Sequence, residues 1–114
     1  MTTLAERHCT PCRKGTPPLT AAQAEKSLAK LPDWHITTDG TAIHRVLKFK
    51  DYYHTLAFVN AVAWLAHQED HHPTLVVEYN RCEVIYTTHA AGGLTDNDFI
   101  CAAKIDRTLI VPAD

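Results

Sequence analysis

The sequence predicts an α+β domain, one four-stranded antiparallel sheet with three helices on one face in the order α-β-β-α-β-β-α. Three observations carry this. Apolar residues recur at helical spacing in three separate stretches, alternation of period two fills the stretches between them, and Asp39-Gly40 and Asn80-Arg81 stand where each strand pair must reverse. Two hairpins separated by a helix favour an antiparallel layer over a doubly wound parallel sheet.

Residues 1–18 hold three of the six prolines and no apolar period, so they read as an extended N-terminal leader ahead of a single domain over 19–114. Thr20 and Gln23 have the spacing of a capping box, and Ala24, Leu28 and Leu31 give the helix that follows an apolar face before Pro32. Trp34 to Thr37 is the first strand. Thr41 to Lys50 returns from the Asp39-Gly40 turn with Ile43, Leu47 and Phe49 on one face and Arg45 interrupting them. Asp51 is placed to cap a central helix whose buried stripe is Leu56, Val59, Ala63 and Ala66, ending before Pro73 because a residue preceding proline is pushed from helical geometry. The third strand is Thr74 to Tyr79 and the fourth is Cys82 to about His89. After Ala90-Ala-Gly-Gly93, Thr95 and Asp98 mark the start of a last helix carrying Phe99, Ala102, Ala103, Ile105 and Leu109 inward.

Size and charge narrow the function classes. A chain of 114 residues supports one core, and a formal net charge of −2 supplies no basic field for neutralising phosphates, so direct nucleic-acid binding has no electrostatic support. No apolar run approaches the roughly 20 residues that cross a bilayer, so no membrane role is expected and the cytoplasm is the default address. Cys9 and Cys12 form one CxxC, a weak signal without a second pair for zinc and without the strand and helix of a thioredoxin-like site.

The chemistry concentrates in His67-Gln68-Glu69-Asp70-His71-His72-Pro73. His67 and His71 stand four apart, which would put them on one helix face as metal ligands with Glu69 or Asp70 nearby. Histidines at helix ends also occur for stability alone. An acid/base site asks for imidazoles on a cleft, near neutrality in pKa. A tight turn at Asn80-Arg81 sets Cys82 opposite Tyr79 and Thr88 near Pro73, so His89 returns beside His72.

These residues resemble the pterin-4a-carbinolamine dehydratase family, whose signature runs through His71-His72-Pro73, an aromatic at Tyr79, His89 and Asp98 with every spacing kept. The likeness extends to Pro17-Pro-Leu-Thr20, Leu31-Pro-Asp-Trp34, Phe49-Lys-Asp-Tyr52 and Gly92-Gly-Leu-Thr95. It implies dehydration of 4a-hydroxytetrahydrobiopterin to quinonoid dihydropterin, which restores tetrahydrobiopterin for aromatic amino-acid hydroxylases. His71, His72 and His89 match the family's active-site histidines, no metal or organic cofactor is implied, and the family's dimers or tetramers suggest a homo-oligomer. His67, Pro73, Thr74 and Asp98 are supporting candidates, Thr74 through strand backbone offered to the pterin and Asp98 as a helix-start residue that orients His89. At position 67 the family usually carries Glu. Two other readings stand beside this one, a metal-dependent hydrolase on His67 and His71, and a dimerisation or coactivator module of the kind animal members provide.

Overall fold

A computed structural model describes residues 2–109. Helix α1 spans Ala21–Leu28, and its first turn is closed as expected: Gln23 N–H donates to Thr20 Oγ1 (3.2 Å) and Thr20 N–H donates to Gln23 Oε1 (2.9 Å). Strands β1 (His35–Ile36) and β2 (Ile43–Lys48) follow. Their turn is held by Asp39, whose Oδ1 accepts from the Thr37 and Thr41 hydroxyls and from Thr41 N–H, while Gly40 takes the positive φ of 75° that suits glycine. Arg45, the charge on β2's inward face, is matched by Asp106 at 2.9 Å, and Asp106 also accepts from Trp34 Nε1–H.

Helix α2 runs from Tyr52 to Glu69 with Asp51 accepting His54 N–H at its start. Its buried stripe is Thr55, Phe58, Val62, Leu65 and Ala66, one position round from the expected Leu56, Val59 and Ala63, and Ala63 is exposed. The helix is apolar nearly all round, so the apolar pattern alone cannot choose its rotation. A polar contact does so: the Thr55 hydroxyl lies 2.9 Å from the Asp51 and Tyr79 carbonyls and donates to either. Trp64 and Tyr53 are left outward, 63% and 77% exposed.

Strands β3 (Thr74–Glu78) and β4 (Arg81–Tyr86) complete an antiparallel sheet in the order β1-β2-β4-β3. The hairpin turns at Tyr79-Asn80 rather than Asn80-Arg81, so Cys82 opposes Val77 and Ile85 opposes Thr74. That is a shift of two residues from the expected register. Because side chains alternate with period two, the shift leaves every residue on its expected face and the apolar pattern cannot detect it. The turn is pinned by Arg81 donating to Glu78 (2.9 Å) and by Phe49 N–H donating to the Asn80 carbonyl (2.8 Å). Regular pairing of β4 ends at Tyr86, and His89 begins a 3-10 turn, His89–Ala91, instead of ending a strand.

Helix α3 (Asp96–Leu109) packs on α2, and Ile43, Val62, Val84, Tyr86, Phe99 and Ile105 are wholly buried between the helices and the sheet. Residues 2–18 are extended apart from a 3-10 turn at Leu4–Glu6 and a turn at Lys14-Gly15, but they are docked, not loose. Leu4 and Ala5 are buried, Lys104 Nζ donates to the Ala5 carbonyl (2.8 Å), and Asn97 pairs both amide groups with Thr10, at 3.0 Å to its N–H and 2.7 Å to its carbonyl. No apolar period foretold this strap, because its contacts are mainly backbone groups satisfied by polar side chains of α3. Among the described residues no helix is long and apolar enough to cross a membrane.

Candidate active site

Helix α2 stops at Asp70, which adopts the left-handed conformation (φ 51°, ψ 41°). An L residue other than glycine rarely sits there, and Asp is among those that tolerate it. The N–H of His71 then folds back to the Ala66 carbonyl (3.1 Å), and the chain turns sharply enough to send the His71 side chain inward. His67 and His71 therefore do not share a helix face. His67 is exposed, with its ring 6.0 Å from that of Trp64. Among the described residues no three His, Cys, Asp or Glu side chains converge as a metal centre.

His71 meets Asp98. Its Nε2 lies 2.6 Å from Asp98 Oδ1, and since a carboxylate can only accept, the proton rests on Nε2 and Nδ1 is left for other partners. Asp98 is wholly buried on the first turn of α3, where its other oxygen accepts from Thr95 N–H (2.9 Å) and from the Thr88 hydroxyl (2.8 Å). One side chain thus caps the helix, ties it to the end of β4, and holds the histidine. Asp98 was expected to orient His89; it orients His71 instead, because the turn at Asp70 brings that ring to α3 while His89 is exposed on the 3-10 turn. The His71 ring also stacks on Tyr86, centroids 5.3 Å apart at 19°. Burial by itself pushes the His71 imidazole down in pKa, but the hydrogen bond and charge of Asp98 outweigh it and the net shift is up.

A cavity of about 580 Å³ opens beside this pair. His71, His72 and His89 all line it, together with Glu69, Thr88 and Asn97. The strap residues His8 to Cys12 form a further wall, a contribution that sequence reasoning missed. Glu69 anchors that wall by accepting Cys9 N–H (2.8 Å) and lying 2.9 Å from His8 Nδ1. Burial alone would raise the Glu69 carboxyl, yet these hydrogen bonds and Lys104 hold it below the ordinary value. His67 and Pro73 line a second, more open hollow of about 370 Å³ together with His71 and His72, and Thr74 lines neither space.

The fold and the site define a two-layer α+β domain with an imidazole held by a buried carboxylate at the junction of a helix end and a hairpin. The sequence matches the family described as pterin 4 alpha carbinolamine dehydratase over residues 17–108. A relative named for that dehydratase in Nitrosomonas eutropha is 56% identical over 108 residues, 94% of each chain, and one in Nitrosospira multiformis is 52% identical over 90% of this chain and 89% of its own. Among solved structures, the transcriptional coactivator/pterin dehydratase from Brucella melitensis is similar with a TM-score of 0.75 and 33% identity, covering 79% of this chain and 96% of that one. A pterin dehydratase-like protein identified as a RuBisCO assembly factor shares the fold at a TM-score of 0.57 and 18% identity. The chain belongs to the pterin-4a-carbinolamine dehydratase family.

Proposed function

We propose that this chain removes water from 4a-hydroxytetrahydrobiopterin, or a pterin of the same ring, to give quinonoid dihydropterin for tetrahydrobiopterin recycling. The observation that carries the reading is the His71–Asp98 pair, its carboxylate wholly buried, on a cavity that His72 and His89 also line. A cavity near 580 Å³ lies within the range of small-molecule sites.

In the reaction the C4a–O bond breaks and the departing hydroxyl takes a proton, while N5–H gives up its proton as the C4a=N5 bond forms. One acid and one base complete it, and no metal or organic cofactor is called for. His71 is suited to be the acid: Asp98 raises its pKa, which favours the protonated ring, and occupies Nε2, which leaves Nδ1–H as the proton for the 4a-oxygen. His89, exposed on the same cavity, takes the N5 proton, and His72 orients the pterin. Exchange with water afterwards restores both rings. Coupling to an aromatic amino-acid hydroxylase follows through the shared pterin and requires no contact between the proteins. Self-association into a dimer or tetramer belongs to the same proposal, supported by the outer edge of β3 and by exposed Val76 and Trp64.

A hydroxylase that generates the 4a-hydroxypterin in situ provides the assay. Formation of the quinonoid product is expected to accelerate with this protein and to fall to the spontaneous rate with the His71→Ala, His89→Ala double variant. No acceleration, or equal acceleration by that variant, would overturn the proposal.

A further inference from the structure

The His71–Asp98 chemistry leaves one reactive pair unused. Cys9 on the strap and Cys101 on α3 are both free thiols, 92 residues apart in sequence, with their sulfurs 3.5 Å apart. Neither is placed by the family match to do pterin chemistry, and Cys9 lies before residue 17, where that match begins. Their surroundings fix the approach. Cys9 is held by its N–H on Glu69 (2.8 Å) and has its sulfur 3.6 Å from the Asn97 carbonyl, while Cys101 is wholly buried, 4.0 Å from the His71 carbonyl. Cys9 lines the cavity, so a small oxidant entering there meets the Cys9 sulfur, with that of buried Cys101 3.5 Å from it. The remaining thiols are less suited, since the contacts of Cys12 are with Asn97 and the Thr10 carbonyl and that of Cys82 is with the Glu83 carbonyl, none of them a second sulfur.

We propose that Cys9 and Cys101 are a reversible oxidation site, closing to a disulfide under peroxide and fastening the strap to α3 beside His71. The sulfurs need approach by only about 1.5 Å to reach the covalent distance of about 2.05 Å. The step balances. One sulfur attacks the peroxide, an S–O bond forms and the O–O bond breaks with loss of hydroxide. The second sulfur then displaces that oxygen as another hydroxide, and the two thiol protons convert both hydroxides to water. The hydrogen bond from Cys9 draws the Cys101 thiol down in pKa against its burial, with the His71 imidazolium acting the same way, while that pairing and burial push the Cys9 thiol up, so Cys101 is the sulfur suited to make the displacement. The bond ties the strap wall of the cavity covalently to α3 until a thiol reductant releases it.

The test treats the reduced full-length chain with hydrogen peroxide, alkylates the thiols that remain, and maps the peptides by mass spectrometry. The expected product has lost two hydrogen masses per chain, joins the Cys9 peptide to the Cys101 peptide, keeps Cys82 alkylated, and reverts in dithiothreitol. Cys12→Ser retains the cross-link and Cys9→Ser, a change on the strap and outside the helical core, loses it. Hydrogen exchange at the Thr10 amide slows severalfold in the oxidised form. A Cys9–Cys12 bond, a bond between chains, or four alkylated thiols after peroxide has fully oxidised glutathione under the same conditions would each overturn the site. Unchanged exchange at Thr10 would overturn the fastening.

Discussion

His71 Nε2 and Asp98 Oδ1 lie 2.6 Å apart across 27 residues of sequence, with the carboxylate wholly buried and the imidazole on a cavity wall. The contact joins the end of one helix to the start of another, so the proposed acid and its support come from separate elements. Loss of the ring is expected to lower kcat: His71→Ala should reduce dehydration by about 10²- to 10⁴-fold, read as quinonoid product formed per enzyme. Asp98→Asn keeps the shape but not the charge. It should move the ionisation that governs kcat to lower pH, and an unchanged profile would show that Asp98 acts only as a helix cap.

The same pair makes stability depend on pH. The folded pKa of His71 lies above its ordinary value of 6.5, so the stabilisation is complete below pH 6.5 and is lost as pH rises through the folded pKa. Urea unfolding of wild type and His71→Gln should therefore differ most in the acidic range and converge under alkaline conditions. A gap that widens with pH would contradict this sign.

The strap is expected to contribute to both stability and binding. Leu4→Ala removes a buried side chain and should destabilise by about 2 kcal/mol, measured as a shift in the urea midpoint. Asn97→Ala leaves the Thr10 N–H and carbonyl without their partners. Hydrogen exchange at Thr10 should quicken, and KM should rise more than kcat falls, since the wall and not the proposed proton donor is disturbed.

Position 67 carries His where the family usually has Glu, and its ring faces Trp64 and the more open hollow rather than the Asp98-held ring. His67→Glu should change folding stability by no more than about 0.5 kcal/mol, since it is an exposed site. Its effect on kcat should be far smaller than that of His71→Ala. Equal losses would place His67 in the proton path.

Local patterns in the sequence were sufficient for the element order, the Thr20 capping box and the Asp39-Gly40 turn. Each depends on neighbours within a turn or a hairpin, where period and dihedral preference act directly. Tertiary structure decided the rest. The rotation of α2 hung on the Thr55 hydroxyl meeting a carbonyl of the β3–β4 turn, and the hairpin register on a two-residue choice that leaves every face unchanged. Asp98 went to His71 rather than His89 because a left-handed residue at Asp70 redirected the chain, a dihedral that no apolar pattern encodes. The docked strap is the same kind of fact. Polar side chains far along the chain satisfy its backbone, and only the folded packing of α3 brings those partners within reach.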